Sequence, residues 1–178
     1  KYMYFVANWK MFGDLRAINS LDKVIKFSKT IRKNKFKIIY CPPSTLIRPF
    51  SKILKTTQIS VGAQNCHHSY DFGANTGQVN SRMLKSVGAK YTLIGHSDNR
   101  SEGDTNAMLK NKVLFALKNN LKVVFCVGEN KNEKKNNRTF SVLKKQLTKV
   151  LDKKFNKNNI IVAYEPIWSI GTGQIPTK

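Results

Sequence analysis

Six short apolar runs, at residues 3–8, 37–41, 59–64, 91–95, 122–126 and 160–164, recur along the chain with helical patterns between them. Short runs of this kind are strands, and strands alternating with amphipathic helices demand a parallel sheet, because a parallel neighbour is reached only through a crossover. The runs start about 31 residues apart on average, the spacing of a closed barrel that fits eight βα units into about 250 residues. Six units fit into 178 residues, and the chain stops just inside what would be the sixth helix. An open doubly wound sheet uses the same alternation, but its Gly-rich fingerprint after the first strand is absent. Asn8-Trp9-Lys10-Met11 stands there instead.

Three helical stripes fit between the strands. Ile18, Leu21 and Ile25 share a face behind an Asp14 N-cap, and Leu109, Val113, Ala116 and Leu117 share one behind Thr105. Phe140, Leu143, Leu147, Val150 and Leu151 make the third. The lysine- and asparagine-rich stretch 130–137 reads as a loop-like insertion. No low-complexity linker or composition break divides the chain, so residues 1–178 are expected to form one domain.

The charge is extreme, with 32 Lys plus Arg against 10 Asp plus Glu and a net +22. Such a balance can mean nucleic acid, a membrane surface or an acidic substrate. The lysines at 134, 135, 144, 145, 149, 153 and 154, however, lie on or beside one amphipathic helix without interleaved aromatics, which is the pattern of a solvated outer face. Neither nucleic acid nor a membrane is expected as a partner. No run of 18 apolar residues or signal peptide appears, so a cytoplasmic location is expected. Cys41, Cys66 and Cys126 lack metal-ligand spacing and are expected to be reduced structural thiols. His67-His68 could join Cys66 at a metal, but adjacent residues point in different directions and no second ligand pair exists, so no metal is expected.

Two acid-base side chains stand at corresponding ends of two strands. Run 160–164 hands Glu165 to a tract rich in Gly, Pro and large apolar residues, which is how a general base and a lid would be built. Run 91–95 hands His96, with Ser97 and Asp98, to a turn that starts a helix, where amide dipoles disfavour an imidazolium.

Asn8-Trp9-Lys10-Met11, Gly62-Ala63-Gln64-Asn65, Thr76-Gly77, Gly95-His96-Ser97, Cys126-Val127-Gly128-Glu129, Tyr164-Glu165-Pro166-Ile167-Trp168 and Ile170-Gly171-Thr172-Gly173 follow one another in order. Together they closely resemble the triosephosphate isomerase family over nearly the whole length. The resemblance implies a TIM (β/α)8 barrel of which about the first six βα units are present. It implies an enzyme that interconverts dihydroxyacetone phosphate and D-glyceraldehyde 3-phosphate through an enediolate, in glycolysis and gluconeogenesis, without a cofactor. By the same resemblance Glu165 is the base, His96 a neutral hydrogen-bond donor and proton shuttle, and Lys10 the clamp on phosphate and developing oxyanion, with Asn8 beside it. The segment from Pro166 to Pro176 corresponds to the lid, whose Gly171 amide grips the phosphate. Ser97, Asp98 and Cys126 support the site. Glu129 matches a family carboxylate at the end of the fifth strand that helps the lid motion or the order of the active site, although a plain helix cap would also explain it. The loop 67–78 matches a dimer-forming loop with Thr76 reaching toward the neighbouring subunit, which implies a homodimer.

The chain departs from the family's pattern at Asp98, usually Glu, at Asn99, often Arg, and at Gln78, usually Glu. The shorter Asp98 is expected to make a looser or water-mediated contact with Lys10. The seventh and eighth strands, whose loops complete the phosphate site, have no counterpart in the sequence, so a piece of a longer gene product is expected, inactive alone.

Overall fold

The computed structural model describes residues 2–31 and 35–176. Strands β1 (Met3–Asn8), β2 (Phe36–Cys41), β3 (Ile59–Ala63), β4 (Tyr91–Ile94), β5 (Lys122–Val127) and β6 (Ile160–Tyr164) form one sheet in sequence order. Every pairing is parallel, from Met3 opposite Phe36 to Val127 opposite Tyr164. Each strand adds beside its predecessor, so the sheet curls into a half-barrel with β1 and β6 as its two edges. All six expected strands are present within a residue of their expected bounds.

Helices α1 (Leu21–Thr30), α2 (Ile47–Ile53), α3 (Ser81–Ser86), α4 (Ser97–Ser101), α5 (Asn106–Lys118), α6 (Lys131–Lys135) and α7 (Thr139–Val150) make the crossovers. Alternate strand residues serve opposite faces. Ile38, Val61, Val123 and Phe125 join Leu21, Ile47, Phe50, Leu109 and Val113 in the layer between sheet and helices. Ile39, Cys41, Tyr91, Leu93 and Val124 form a smaller cluster on the other face. Burying the Phe50 ring completely contributes about 2–3 kcal/mol before entropy is charged against it. The edge strands lack such cover. Met3 is 57% exposed, Phe5 49%, Val162 50% and Tyr164 47%.

The Thr105 side chain accepts from the Met108 amide and caps α5, as its position predicts. Three local expectations need correction. Asp14 caps a 3₁₀ turn over Leu15–Ser20, and the α-helix begins only at Leu21. The stretch 130–137 is not a loop. Asn130 accepts from the Glu133 amide while Glu133 accepts from the Asn130 amide, and this reciprocal cap secures α6 in spite of its polarity. Phe140 leaves its stripe and is 78% exposed. The buried face of α7 is centred on Leu143, Gln146 and Val150 and includes Val142, which turns Phe140 in the first turn away from the sheet.

Candidate active site

The groups singled out in the sequence gather at the C-terminal ends of the strands. After β1, Lys10 has φ +50°, a left-handed conformation that costs a non-glycine residue about 1–3 kcal/mol and persists only where neighbours over-determine it. Here they do. The Lys10 amide donates to Asn8 Oδ1 at 3.0 Å, and Gln64 Nε2 donates to the carbonyls of Lys10 (2.8 Å) and Cys41 (2.9 Å). The Trp9 ring anchors the turn from below, edge-on to Tyr40 and Phe50. Lys10 Nζ therefore projects to Asp98 Oδ2 at 3.1 Å, a direct contact where a looser or water-mediated one was expected. Asp98 stands on the first turn of α4, close enough that the missing methylene is not needed.

His96 is 5% exposed and forms the N-cap of α4, its Nδ1 accepting from the Asp98 amide at 3.1 Å. Only a ring unprotonated at Nδ1 can accept there, so the hydrogen of the neutral ring sits on Nε2. That nitrogen lies 3.3 Å from Glu165 Oε2. Glu165 is fixed through its backbone, whose amide donates to the Val127 carbonyl at 2.8 Å, while Oε2 is buried without a hydrogen-bond partner. Gly128 lies against it, and an added Cβ would overlap the Glu165 carbonyl. Both backbone groups of Gly128 are held by the Gln146 amide of α7, each at 2.9 Å.

Arg100 joins the ends of two strands. Its Nε donates to the Gly95 carbonyl at 2.7 Å and its Nη2 to the Cys126 carbonyl at 3.3 Å. Burial first, and then the neighbouring Glu165 carboxylate, push the Cys126 thiol far above its ordinary value. Burial likewise pushes Cys41 and Cys66 up to about 12, so all three cysteines are inert thiols. His67 and His68, expected to diverge, stack with ring centroids 4.2 Å apart.

Glu129 is no helix cap. Almost fully buried, its Oε1 accepts from Trp168 Nε1 (2.9 Å), Tyr164 OH (3.0 Å) and Thr139 Oγ1 (3.2 Å), which ties β5 to the tract after β6. Lys134 adds a cation over the Trp168 ring, 3.1 Å from its centroid, so this lysine is more than a solvated charge. Burial alone would raise the Glu129 pKa, but the hydrogen bonds from Trp168, its own backbone, Tyr164 and Thr139 outweigh it and hold the group below 4.5. A depressed carboxyl stabilises the fold above its unfolded value, and that stabilisation is lost as pH falls through the folded value. Glu129→Gln is therefore expected to cost about 2 kcal/mol at pH 7, roughly 4–8 °C in melting temperature. The gap from the parent should narrow below about pH 4.5. Melts from pH 7 to 3 of both proteins, each continued by the last third of a relative so that the barrel closes, check this, and a constant gap would contradict it.

A cavity of about 510 Å³ is lined by Asn8, Lys10, Gln64, Asn65, His96 and Asp98, among others. Glu165 borders a smaller crevice beside it, shared with Ser97, Cys126 and Gly128. Two expected residues lie elsewhere. Gly171, with φ +70°, sits in the exposed tract after β6 and lines neither space. Thr76 is exposed on its loop and borders a separate cavity with His67, Asn75, Asn99 and Glu102. The sequence alone gives no role to Gln64, Arg100 or Gln146 and reads Lys134 only as part of a solvated face. For Gln146 a signal existed, since one amide interrupts the apolar face of α7.

The triosephosphate isomerase family model matches residues 3–178. The triosephosphate isomerase of Alkaliphilus oremlandii is 38% identical over 171 residues, which are 94% of this chain and 68% of the relative. That of Wolbachia pipientis wMel is 39% identical over 173 residues, 97% of this chain and 67% of the relative. The crystal structure of triosephosphate isomerase from Bartonella henselae superposes with a TM-score of 0.86 at 35% identity, covering 93% of this chain and 68% of that one. The chain thus spans about two thirds of its relatives' length. With a family model matching nearly the whole chain and relatives 38–39% identical over two thirds of their own length, it belongs to the triosephosphate isomerase family.

Proposed function

We propose that this chain supplies the proton-transfer machinery of a triose-phosphate isomerase, interconverting dihydroxyacetone phosphate and D-glyceraldehyde 3-phosphate. The observation that carries the reading is the approach of His96 Nε2 to Glu165 Oε2 at 3.3 Å beside a cavity bordered by Lys10. A carboxylate oxygen without a hydrogen-bond partner is an available base, and a ring with its hydrogen on Nε2 is an available donor. Glu165 removes a proton from the carbon next to the carbonyl. His96 donates to the carbonyl oxygen as charge builds there, and an enediolate results. Proton return from Glu165 to the neighbouring carbon, with His96 moving a proton between the two oxygens, completes the isomerisation with no net gain or loss. The Lys10 ammonium offsets the charge on phosphate and enediolate. Asp98 holds that ammonium at the cavity wall, and Gly171 and the lid close over the substrate. Glu129 sets the base of the lid. Thr76 reaches a second copy in a homodimer, and the protein works in the cytoplasm.

The test is a coupled assay on a completed barrel, residues 2–176 of this chain continued by the last third of the Bartonella henselae protein. Conversion of glyceraldehyde 3-phosphate is expected, and it should be lost when Lys10 is replaced by Met. A folded, dimeric hybrid without turnover would sink the proposal and leave the chain a barrel scaffold that keeps its motifs but not its chemistry.

A further inference from the structure

At the end of the sheet opposite His96 and Glu165, four lysines from four separate elements converge. Lys37 near the start of β2, Lys85 in the last turn of α3, Lys90 just before β4 and Lys122 at the start of β5 line one cavity of about 500 Å³, walled by Phe36 and Tyr91. The chain has ten acidic side chains, and none of them lines this space. Among the described residues every ion pair lies elsewhere, so all four ammonium groups lack a carboxylate partner. Their contacts are weak substitutes. Lys85 donates to the Asn120 carbonyl at 2.8 Å, Lys37 lies 4.6 Å from the Tyr2 ring centroid, and Lys122 lies 6.0 Å from that of Tyr91.

A solvated lysine face spreads its charges over a convex surface, as α7 does. Four positive charges around a concavity walled in part by Phe36, Ile59 and Tyr91, with neutral polar groups from Thr57, Gln58, Ser60 and Asn120, repel one another and focus a positive potential into the space between them. An anion with charges spread over several atoms offers more of these ammonium groups a partner than a single phosphate does. The volume falls in the range of small-ligand sites, and a nucleic-acid strand would call for an extended stripe instead. We propose that this cavity binds a small polyanion bearing two or more phosphoryl groups, at a site separate from the one at Lys10.

The experiment uses the completed barrel with Lys10→Ala, which weakens phosphate binding at the opposite end, and inorganic tripolyphosphate as the probe. Calorimetry should give one saturable site whose affinity falls with salt, and the melting temperature should rise with probe concentration. The double change Lys37→Ala and Lys90→Ala should weaken binding about tenfold, while Lys37→Arg with Lys90→Arg should preserve it. With Lys10 restored, the alanine pair should leave basal turnover unchanged, which separates failure of this site from failure of the isomerase reading. Absence of saturable binding, or binding indifferent to the alanine pair, would overturn the proposal. So would a single-stranded oligonucleotide that displaces the probe and binds more tightly with each added nucleotide, since the surface would then be a nucleic-acid interface.

Discussion

Replacing Glu165 by Gln in the completed barrel is expected to lower turnover by about 10⁴-fold and to leave the binding of a phosphorylated substrate analogue within a factor of about 3. The amide keeps the size of the carboxylate but cannot take a proton from carbon, so the loss falls on the step and not on binding. Gln also keeps the backbone hydrogen bond from residue 165 to the Val127 carbonyl, so the strand end should not shift. Steady-state kinetics and analogue titration measure the two quantities independently. Turnover retained to within a factor of about 3 would show that another group is the base. Equal losses in turnover and analogue binding would point to a displaced loop.

Residues 1–178 produced without further barrel strands are expected to lack measurable isomerase activity, to associate, and to melt over a broad range. Both edge strands offer unpaired amides and carbonyls, and Met3, Phe5, Val162 and Tyr164 are about half exposed on them. Edges of this kind pair with whatever strand they meet. The net charge of +22 slows association at low salt but leaves those backbone groups unsatisfied, so the effect should grow as salt screens the charge. Light scattering at two ionic strengths, a thermal melt and the coupled assay together decide the matter. A monodisperse species with a sharp melt and activity within tenfold of the completed barrel would refute it.

The strands were legible because each is a short apolar run flanked by polar turns, and parallel order followed from the helices between them. What periodicity does not carry is the partner of a polar side chain. Asp98 looked too short for Lys10 because side-chain length was weighed without the position of α4, which brings the carboxylate in. Glu129 could not be told from a helix cap, since its three donors come from 10, 35 and 39 residues downstream. Phe140 failed for a geometric reason, for the apolar residues between Phe140 and Leu151 admit more than one stripe and only the register of α7 against the sheet selects one. The segment 130–137 failed because its composition is polar throughout and its order comes from a reciprocal cap between Asn130 and Glu133. At the strand ends His96, Glu165 and Lys10 were named from sequence, as was a contact between Lys10 and Asp98, but its directness and the hold of Gln64 on the Lys10 turn required coordinates.

Gln146 sits on the outer layer, yet its amide grips both backbone groups of Gly128, and Gly128 abuts the carbonyl of Glu165. The aim of the Glu165 carboxylate is thus inherited from how a surface helix seats itself. Wear on the outside of the barrel, whether a lost leucine in α7 or a rise in temperature that loosens its packing, is felt at the chemistry before the protein unfolds. In the completed barrel, the proposed activity should therefore report the seating of α7 earlier than any global probe of folding does.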